Sequence, residues 1–303
     1  MSNRIKGTDV NLLVDGAVIT GSTSCTFSLT ANTSDAASKT DPGDGMWDNP
    51  EFQNYSWQMG NESFMCDTGG LLSLLDTVIN GDAQVDVSFQ VGGTTDSGAI
   101  CYGGKAIVSQ LQVKAASNDK VTISLSLEGA SSLAKVAAKT VAKQKTSPIK
   151  GKALMLAVEG AGNSFHTLAA STSHSLSVSV QTADVSTKDE DDSSINKEVT
   201  GKSVTLSTEN LVALKTGDTE TGIMLAQLAD DAMTGRTLKL SFGYYPESVG
   251  AASGEDCDWG AANIVAVSGD FMCSSLNVNG PNKENATYTA DFLSKGMPMV
   301  VMA

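Results

Sequence analysis

The feature that most limits how this chain can fold is an internal repeat. The segment TSCTFSLTANTSDAASK, residues 23–39, aligns without a gap with TSHSLSVSVQTADVSTK, residues 172–188, and six of the seventeen positions are identical. Serine and threonine inflate such matches in a chain rich in both, but the coincidence of Asp35 with Asp184 and of Lys39 with Lys188 has no such source. Apolar alternation agrees: Cys25, Phe27 and Leu29 fall on one side of a predicted strand, and His174, Leu176 and Val178 fall on the same side of its counterpart. A chain of 303 residues can bury two ordinary cores, and the repeat predicts two of one kind.

The register persists further along. SWQMGNESF, residues 56–64, answers SVTLSTENL, residues 203–211, with Glu62 meeting Glu209. A helix is predicted next in each copy: Leu71, Leu74, Leu75 and Val78 precede Gly81, and Met224, Leu225, Leu228 and Met233 precede Gly235. The strands QVDVSFQV and TLKLSFGYY follow, and each copy closes with a hairpin that turns at Asn118-Asp119 or at Gly280-Pro281-Asn282. The expected organisation is a domain over residues 1–130, a linker over 131–149 and a second domain over 150–303. Lys135, Lys139, Lys143 and Lys145 lie in the Ala-rich linker, which ends at Pro148 and reads as helical or extended, either a solvated spacer or a docking segment.

The two copies diverge in their loops. After Lys39 the first inserts TDPGDGMWDNPEFQNY, and the second has the acidic DEDDSSINKEVTGK after Lys188. A long loop that carries Trp47, Phe52 and Tyr55 beside Asp41 is expected to bury its aromatics against a partner. Asp189 and Asp191 mark the equivalent place in the second copy. The Gly-rich stretches 92–104 and 244–263 read as surface loops. The apolar end, with Met297, Met299 and Val300, is expected either to dock on a neighbouring subunit or to add an edge strand to its own domain.

Composition narrows the function. Aromatics are only 5%, while Gly, Ser, Thr, Ala and Val dominate, which favours strands and turns. The net charge is −14, split −5 and −9 between residues 1–149 and 150–303, so the chain lacks the basic stripe that gripping nucleic acid requires. No signal-like start and no apolar run of about 18 residues is present, so a soluble chain made in the cytoplasm, with no membrane insertion, is expected. Five scattered cysteines without a CxxC pair read as reduced, mostly buried thiols. The two histidines, His166 and His174, fall in or beside predicted strands and read as structural. No HExxH, Walker, GxSxG or post-strand GxGxxG motif occurs. The run Asp189 to Asp192 lacks the alternation and central glycine of a calcium loop. No catalytic residue, cofactor or metal is expected.

Strands such as residues 121–127 and 175–180 alternate branched apolar residues with Ser or Thr, giving one face that packs and one that is polar and uncharged. Together with the VDG segment, TSCTFSLTANTSDAASKTDPGDGMW, a strand carrying SW, a short helix and a final hairpin, this pattern resembles the major tail tube proteins of long-tailed bacteriophages. The resemblance covers residues 10–64 and, more weakly, 154–211. It implies a mainly β fold with one short helix per domain, in two tandem copies of a β-sandwich or curved-sheet domain that join with other subunits into a ring-shaped β-barrel. A fused pair implies trimeric, pseudo-sixfold rings stacked into a hollow tube through which phage DNA passes during ejection. Tape-measure and tail terminator or tip proteins are the implied partners, the virion the implied location, and the host cytoplasm the place of assembly. Asp41, Trp47, Phe52, Tyr55, Asp189, Asp191, Met297, Met299 and Val300 are the expected subunit and ring-stacking contacts, and Asp35, Asp184, Lys39, Lys188, Glu62 and Glu209 the repeat-equivalent structural pairs.

Two rivals remain at this stage. A tandem Ig-like binding module would also alternate and duplicate, but it predicts no helix after the paired strands. A contractile-tail or secretion-like tube protein would look much the same.

Overall fold

Alternation at a period of two becomes strands, and the helical spacings become the only two α-helices among the described residues. The computed structural model describes residues 5–35, 50–66, 68–92, 99–139, 141, 147–159, 165–168, 170–186, 194–212, 220–244 and 265–302. A 3-10 turn, Gly7–Asp9, leads into β1 (Val10–Val14), β2 (Ala17–Val18), β3 (Ser22–Asp35), β4 (Pro50–Phe64), α1 (Thr68–Ile79), β5 (Gln84–Val91), β6 (Ile100–Ala116), β7 (Thr122–Gly129) and β8 (Ala134–Lys135). A second 3-10 turn, Gly151–Ala153, opens β9 (Leu154–Glu159), β10 (Phe165–Thr167), β11 (Ser171–Asp184), β12 (Lys197–Leu211), α2 (Glu220–Thr234), β13 (Thr237–Tyr244), β14 (Val265–Asn279), β15 (Thr287–Ser294) and β16 (Met299–Met302).

All strand pairings between these elements are antiparallel, and those of the first half recur in the second. β3 pairs with β4 as β11 does with β12, β4 with β7 as β12 with β15, β6 with β7 as β14 with β15, and β6 with β8 as β14 with β16. Irregularities recur too. Bulges separate Ser22 from Ser24 and Asn32 from Thr33 in β3, and Ser171 from Ser173 and Gln181 from Thr182 in β11.

The halves are joined by one ladder, in which Ser173 to Ser179 of β11 lie opposite Ala116 to Gln110 of β6. This produces an eight-stranded wall in the order β3-β4-β7-β6-β11-β12-β15-β14. β6 serves two sheets. Its first half pairs with β5 on the edge that its second half gives to β11. A bulge at Ser109 divides the two stretches, with the hydroxyl donating to the Ser126 carbonyl at 3.2 Å; Ser274 does the same in β14 through the Asp291 carbonyl at 3.1 Å. A bulge bends its strand and strengthens the twist, which lets one strand leave the wall and carry β5, β1 and β2, or β13, β9 and β10, back over the apolar side.

The core lies between these layers. Leu12, Val85 and Val87 join Trp57, Met59, Leu125 and Leu127 in the first half, and Leu156, Leu240 and Phe242 join Leu206 and Phe292 in the second. Phe27 and Phe89 stack across the gap at 5.4 Å between centroids. The helices give partial cover: α2 packs on β14, while α1 reaches across the molecule to β16 of the other half. Lys202 of β12 closes the joint by donating to the Ile79 and Gly81 carbonyls at the C-terminus of α1, where a cation suits the exposed carbonyl dipoles.

Two expectations change, and the linker takes one of its two expected forms. The stretch 92–104 is not all loop, because residues 100–104 begin β6 with Cys101 buried. Its glycines have a packing reason: a Cβ at Gly104 would stand 3.1 Å from the Trp57 indole, and one at Gly129 would run into that ring. The aromatic loop is shorter than expected, since residues 50–55 lie in β4. The linker begins as an extended part of the first half despite its helix-favouring composition. Trp57 Nε1 donates to the Ser131 carbonyl at 2.8 Å, the Leu133 amide donates to Tyr55 Oη at 3.1 Å, and buried Gln90 exchanges two hydrogen bonds with the Lys139 backbone at 3.0 and 2.8 Å. These contacts outweigh propensity, which is worth a few tenths of a kcal/mol per residue.

Trp57 is therefore the clasp between wall and linker. Trp57→Ala is expected to lower unfolding free energy by about 3–5 kcal/mol; chemical denaturation monitored by far-UV circular dichroism measures it, and a loss below about 1 kcal/mol would contradict the packing described.

Candidate functional site

The wall exposes one continuous polar face, and ladder register fixes which side chains share it. On that face Ser24, Thr26 and Ser28 of β3 lie opposite Glu62, Gly60 and Gln58 of β4, which lie opposite Ser124, Ser126 and Glu128 of β7. The sequence of partners runs on through Gln112 and Lys114 of β6, Ser175 and Ser177 of β11, Thr205 and Ser207 of β12, Asp291 and Thr289 of β15, and Ser275 and Asn277 of β14. The charged groups at these paired positions are Glu62, Glu128, Glu209 and Asp291, against Lys114. The polarity expected from residues 121–127 and 175–180 thus extends across all eight strands, and its carboxylates lie on β4, β7, β12 and β15. Leu293, 40% exposed, is an apolar interruption.

Hydroxyl contacts recur at matching places on the face. Thr23 Oγ1 donates to the Glu62 carbonyl and Thr172 Oγ1 to the Glu209 carbonyl, each at 3.0 Å; Ser24 Oγ reaches the Glu62 carboxylate at 3.4 Å and Ser173 Oγ that of Glu209 at 3.3 Å. Across the joint between the halves, Lys197 Nζ lies 2.7 Å from Glu128 Oε2, which also accepts from Thr182 Oγ1 at 3.1 Å. Neighbouring strands of the wall alternate in direction, so β3 and β11 run the same way, and the loops that join β3 to β4 and β11 to β12 leave from the same rim.

Acid–base, metal and thiol chemistry find no constellation here. Among the described residues no group of three or more His, Cys, Asp or Glu is placed to hold a metal. His174 is buried between the halves, with Ser171 Oγ 2.8 Å from Nε2 and Thr208 Oγ1 2.9 Å from Nδ1, and burial pushes its pKa down to about 4. Burial likewise raises the pKa of the Cys101 and Cys273 thiols and of the Tyr288 phenol. Cys25, Cys66, Cys101 and Cys273 are free thiols. A cavity of about 260 Å³ under α1 is lined by Val14, Ile19, Phe64, Met65, Leu74 and Ile123 with Asp15 and Cys66, and by no His, Lys or Arg. The buried Asp231 carboxylate meets Arg236 at 3.6 Å.

The residues singled out from sequence scatter. Glu62 and Glu209 occupy matching places on the polar face. Asp35 and Asp184 end β3 and β11, opposite Pro50 and Lys197. Phe52 is 52% exposed on β4, whereas Tyr55 turns toward its own chain, its carbonyl accepting from the Ile195 amide at 3.1 Å. Met297 and Met299 are exposed; Val300 packs against the core, and residues 299–302 form the own-domain edge strand on β14 that was one of the two alternatives. Asp41, Trp47, Lys39, Lys188, Asp189 and Asp191 lie outside the described residues. Sequence reading missed Ser109 and Ser274, whose bulges split β6 and β14; a lone serine inside a strand pattern carries no signal of that kind.

Comparison with known proteins adds a family. Residues 148–300, about half of the chain, match the family described as phage tail tube protein. Among solved structures, a chain in the tail of an empty gene transfer agent particle, from a helical refinement with C6 symmetry, is similar at 20% identity and a TM-score of 0.35 over 50% of this chain and 98% of that one. A chain in the virion of a native gene transfer agent particle is similar at 18% identity and a TM-score of 0.35, with the same coverage. No curated protein matches.

His174 makes the joint between the halves sensitive to acid. Its folded pKa lies below the unfolded value of about 6.5, so between pH 6.5 and 4 the unfolded chain binds a proton that the native chain does not, and stability falls as the pH drops through that window. The expected loss is about 3 kcal/mol at most. His174→Cys, which installs the residue found at the matching position of β3, should abolish that part of the slope. Denaturation midpoints of both proteins at pH 7 and pH 4.5 measure it; parallel slopes would exclude the assignment.

Proposed function

We propose that this chain, which belongs to the phage tail tube protein family, is a structural subunit that polymerises into the hollow tail tube of a virion. One observation carries the reading: an eight-stranded wall with a continuous hydrated face on one side, a packed core on the other, and an unclosed edge at each end. A sheet in this form is completed by other copies of itself, because bare edges left in solution are aggregation sites.

In this reading the halves are two copies of one tail-tube domain, residues 1–130 and 150–303 joined by 131–149. Matching strand order, matching bulges and the Ser109 and Ser274 contacts support that duplication. Three chains then make a ring with pseudo-sixfold symmetry, and three walls of eight strands close into a barrel of 24. The polar face lines the lumen. Each chain carries −14, so a ring carries −42, and the lumen face contributes acidic rather than basic groups. DNA passing such a wall meets hydroxyls and amides that hydrate it, and Lys114 together with the Glu128-paired Lys197 is too few cations to make the basic stripe that would hold its phosphates.

Rings stack through the rim from which the loops before β4 and β12 leave, with Asp41, Trp47, Phe52, Asp189 and Asp191 as contacts. The exposed Met297 and Met299 offer a further subunit contact. The tube encloses a tape-measure protein, ends on terminator and tip proteins, and is assembled in the host cytoplasm. In this reading the chain performs no catalysis, and burial of the neutral His174 suits a structural role for that residue.

Electron microscopy of the purified protein should show hollow tubes or rings with three chains per ring and apparent sixfold symmetry. A protein that remains monomeric at high concentration would overturn the proposal. Replacing the lumen carboxylates, in Glu62→Lys with Glu209→Lys, should leave tubes intact but make them retain short DNA in a salt-dependent way, whereas wild-type tubes release it. Equal retention by both would remove the polar face from the lumen. Deleting residues 41–49 should leave rings and shorten the stacks.

A further inference from the structure

The joint between the two halves within one chain also defines, residue by residue, how two chains meet. This deepens the tube reading and rests on it. The matching ladders give the correspondence: β3 matches β11 at an offset of 149 residues and β14 matches β6 at an offset of 165, since the bulge at Val108/Gln110 recurs at Cys273/Ser275. Within the chain, Val178 lies opposite Leu111, Ser177 opposite Gln112, and Leu176 opposite Val113. The corresponding residues are Leu29 with Leu276, Ser28 with Asn277, and Phe27 with Val278. They lie on β3 and β14, at opposite ends of the wall, where one chain cannot bring them together.

Exposure separates the completed joint from the incomplete one. Val178 and Val113 are 0% exposed, whereas their counterparts Leu29 and Val278 are 56% and 59% exposed. Leu176 and Leu111 are likewise fully buried, and their counterparts Phe27 and Leu276 only half-buried. The same sequence pattern therefore buries its apolar residues where a second strand pairs alongside and leaves them in water where none does.

The helices repeat the asymmetry. α1 of the first half packs on β16 of the second, and β16 is the counterpart of β8, as Met299 opposite Ser268 matches Ala134 opposite Gly103. Among the described residues α2 makes no comparable packing on β8. Met233 at the end of α2 is 77% exposed, and Val136 beside β8 is 40% exposed. Both mismatches point the same way around the molecule. The half that offers β14 also offers α2, and the half that offers β3 also offers β8.

We infer that the occupant of both surfaces is a second copy of this chain, docked head to tail: β14 of one chain pairs antiparallel with β3 of the next, with Ser275 opposite Thr30, Leu276 opposite Leu29, Asn277 opposite Ser28, Val278 opposite Phe27 and Asn279 opposite Thr26, while α2 settles on the next chain's β8. The contact is heterologous, so it propagates in one direction and closes only as a ring. Directly opposed residues of an antiparallel ladder bring their Cα atoms to about 4.5–5.5 Å, inside the Cα separation that a disulfide spans.

Two double variants test the register, Leu29→Cys with Leu276→Cys and Ser28→Cys with Asn277→Cys, because adjacent positions alternate between the narrow and wide pairs of an antiparallel ladder. Oxidised after assembly, at least one should give covalent dimers and trimers on denaturing gels. The control Ser28→Cys with Asn279→Cys, slipped by two residues, should give none. Tubes that form but link only in the slipped pair, or in none, would overturn this seam and leave the tube reading standing; a parent protein that forms neither rings nor tubes would overturn both. Leu29→Asp gives an independent check, since that side chain is already in water in the single chain. The variant should keep its melting temperature as a monomer and raise the critical concentration for assembly about tenfold or more. Assembly at the wild-type concentration would count against the seam.

Discussion

Every structural relation in this molecule depends on the ladder between β6 and β11. It is the point where the two halves become one wall, and it is made of backbone hydrogen bonds whose register is fixed by side-chain alternation. A slip of one residue would turn Leu176 and Val178 into the polar face and Ser175 and Ser177 into the core. Burial of Leu111, Val113, Leu176 and Val178 forbids that slip. His174, placed among them without charge, adds a second restraint, because ionising it there would cost its hydration.

The ladder exists only because β6 changes partners midway. A strand with a single pair of neighbours could serve the wall or the overlying layer, not both. The bulge at Ser109 resolves the conflict by turning the strand, so that Ile100 to Ile107 face β5 and Gln110 to Ala116 face β11 along one edge. The local cost is an unpaired position in the ladder, which the serine hydroxyl offsets by bonding across to β7. Repetition of that bond at Ser274 in β14 leaves the corresponding outer stretch of β14 shaped to accept a strand as β6 does.

Much of this was legible in the sequence, and the exceptions have physical causes. Strand positions, both helices and both closing hairpins follow from periodicity, and the equivalence of Glu62 with Glu209 from a repeat whose offset is 149 residues over β3 and 147 over β4. The Asp15-Gly16 turn between β1 and β2 went unread, although Asp-Gly is a two-residue hairpin signal and both residues take the positive φ, 48° and 79°, that such a turn requires. Residues 100–104 misled because glycine normally signals a loop, whereas here Gly104 and Gly129 make room for the Trp57 indole. Which of its two expected forms the linker takes was not legible, because local propensity is weak beside the long-range bonds of Trp57, Tyr55 and Gln90, which no window of neighbouring residues reveals. The polar face was visible strand by strand, but its extent depends on which strands are neighbours, and the β6–β11 pairing spans too great a sequence distance for pattern alone to find.

A subunit built this way has to satisfy two opposed demands. Its edges must accept a specific strand, yet must not accept any strand, or the protein would aggregate before it assembled. The composition of β3 and β14 meets both. Ser24, Thr26, Ser28 and Thr30 alternate with the apolar positions of β3, and Ser275, Asn277 and Asn279 do the same in β14, so each bare edge offers only isolated apolar side chains between hydrated ones. A net charge of −14 opposes indiscriminate contact between free chains, and the Debye length of roughly 8 Å at physiological salt confines that repulsion to short range. Covalent fusion of the halves helps further: one joint of each pair forms on folding at an effective concentration no diffusing partner can match, and only the other is left to encounter. In the seam proposed above, specificity at that remaining edge comes from register and helix placement together, since a strand docked out of step would carry α2 away from β8.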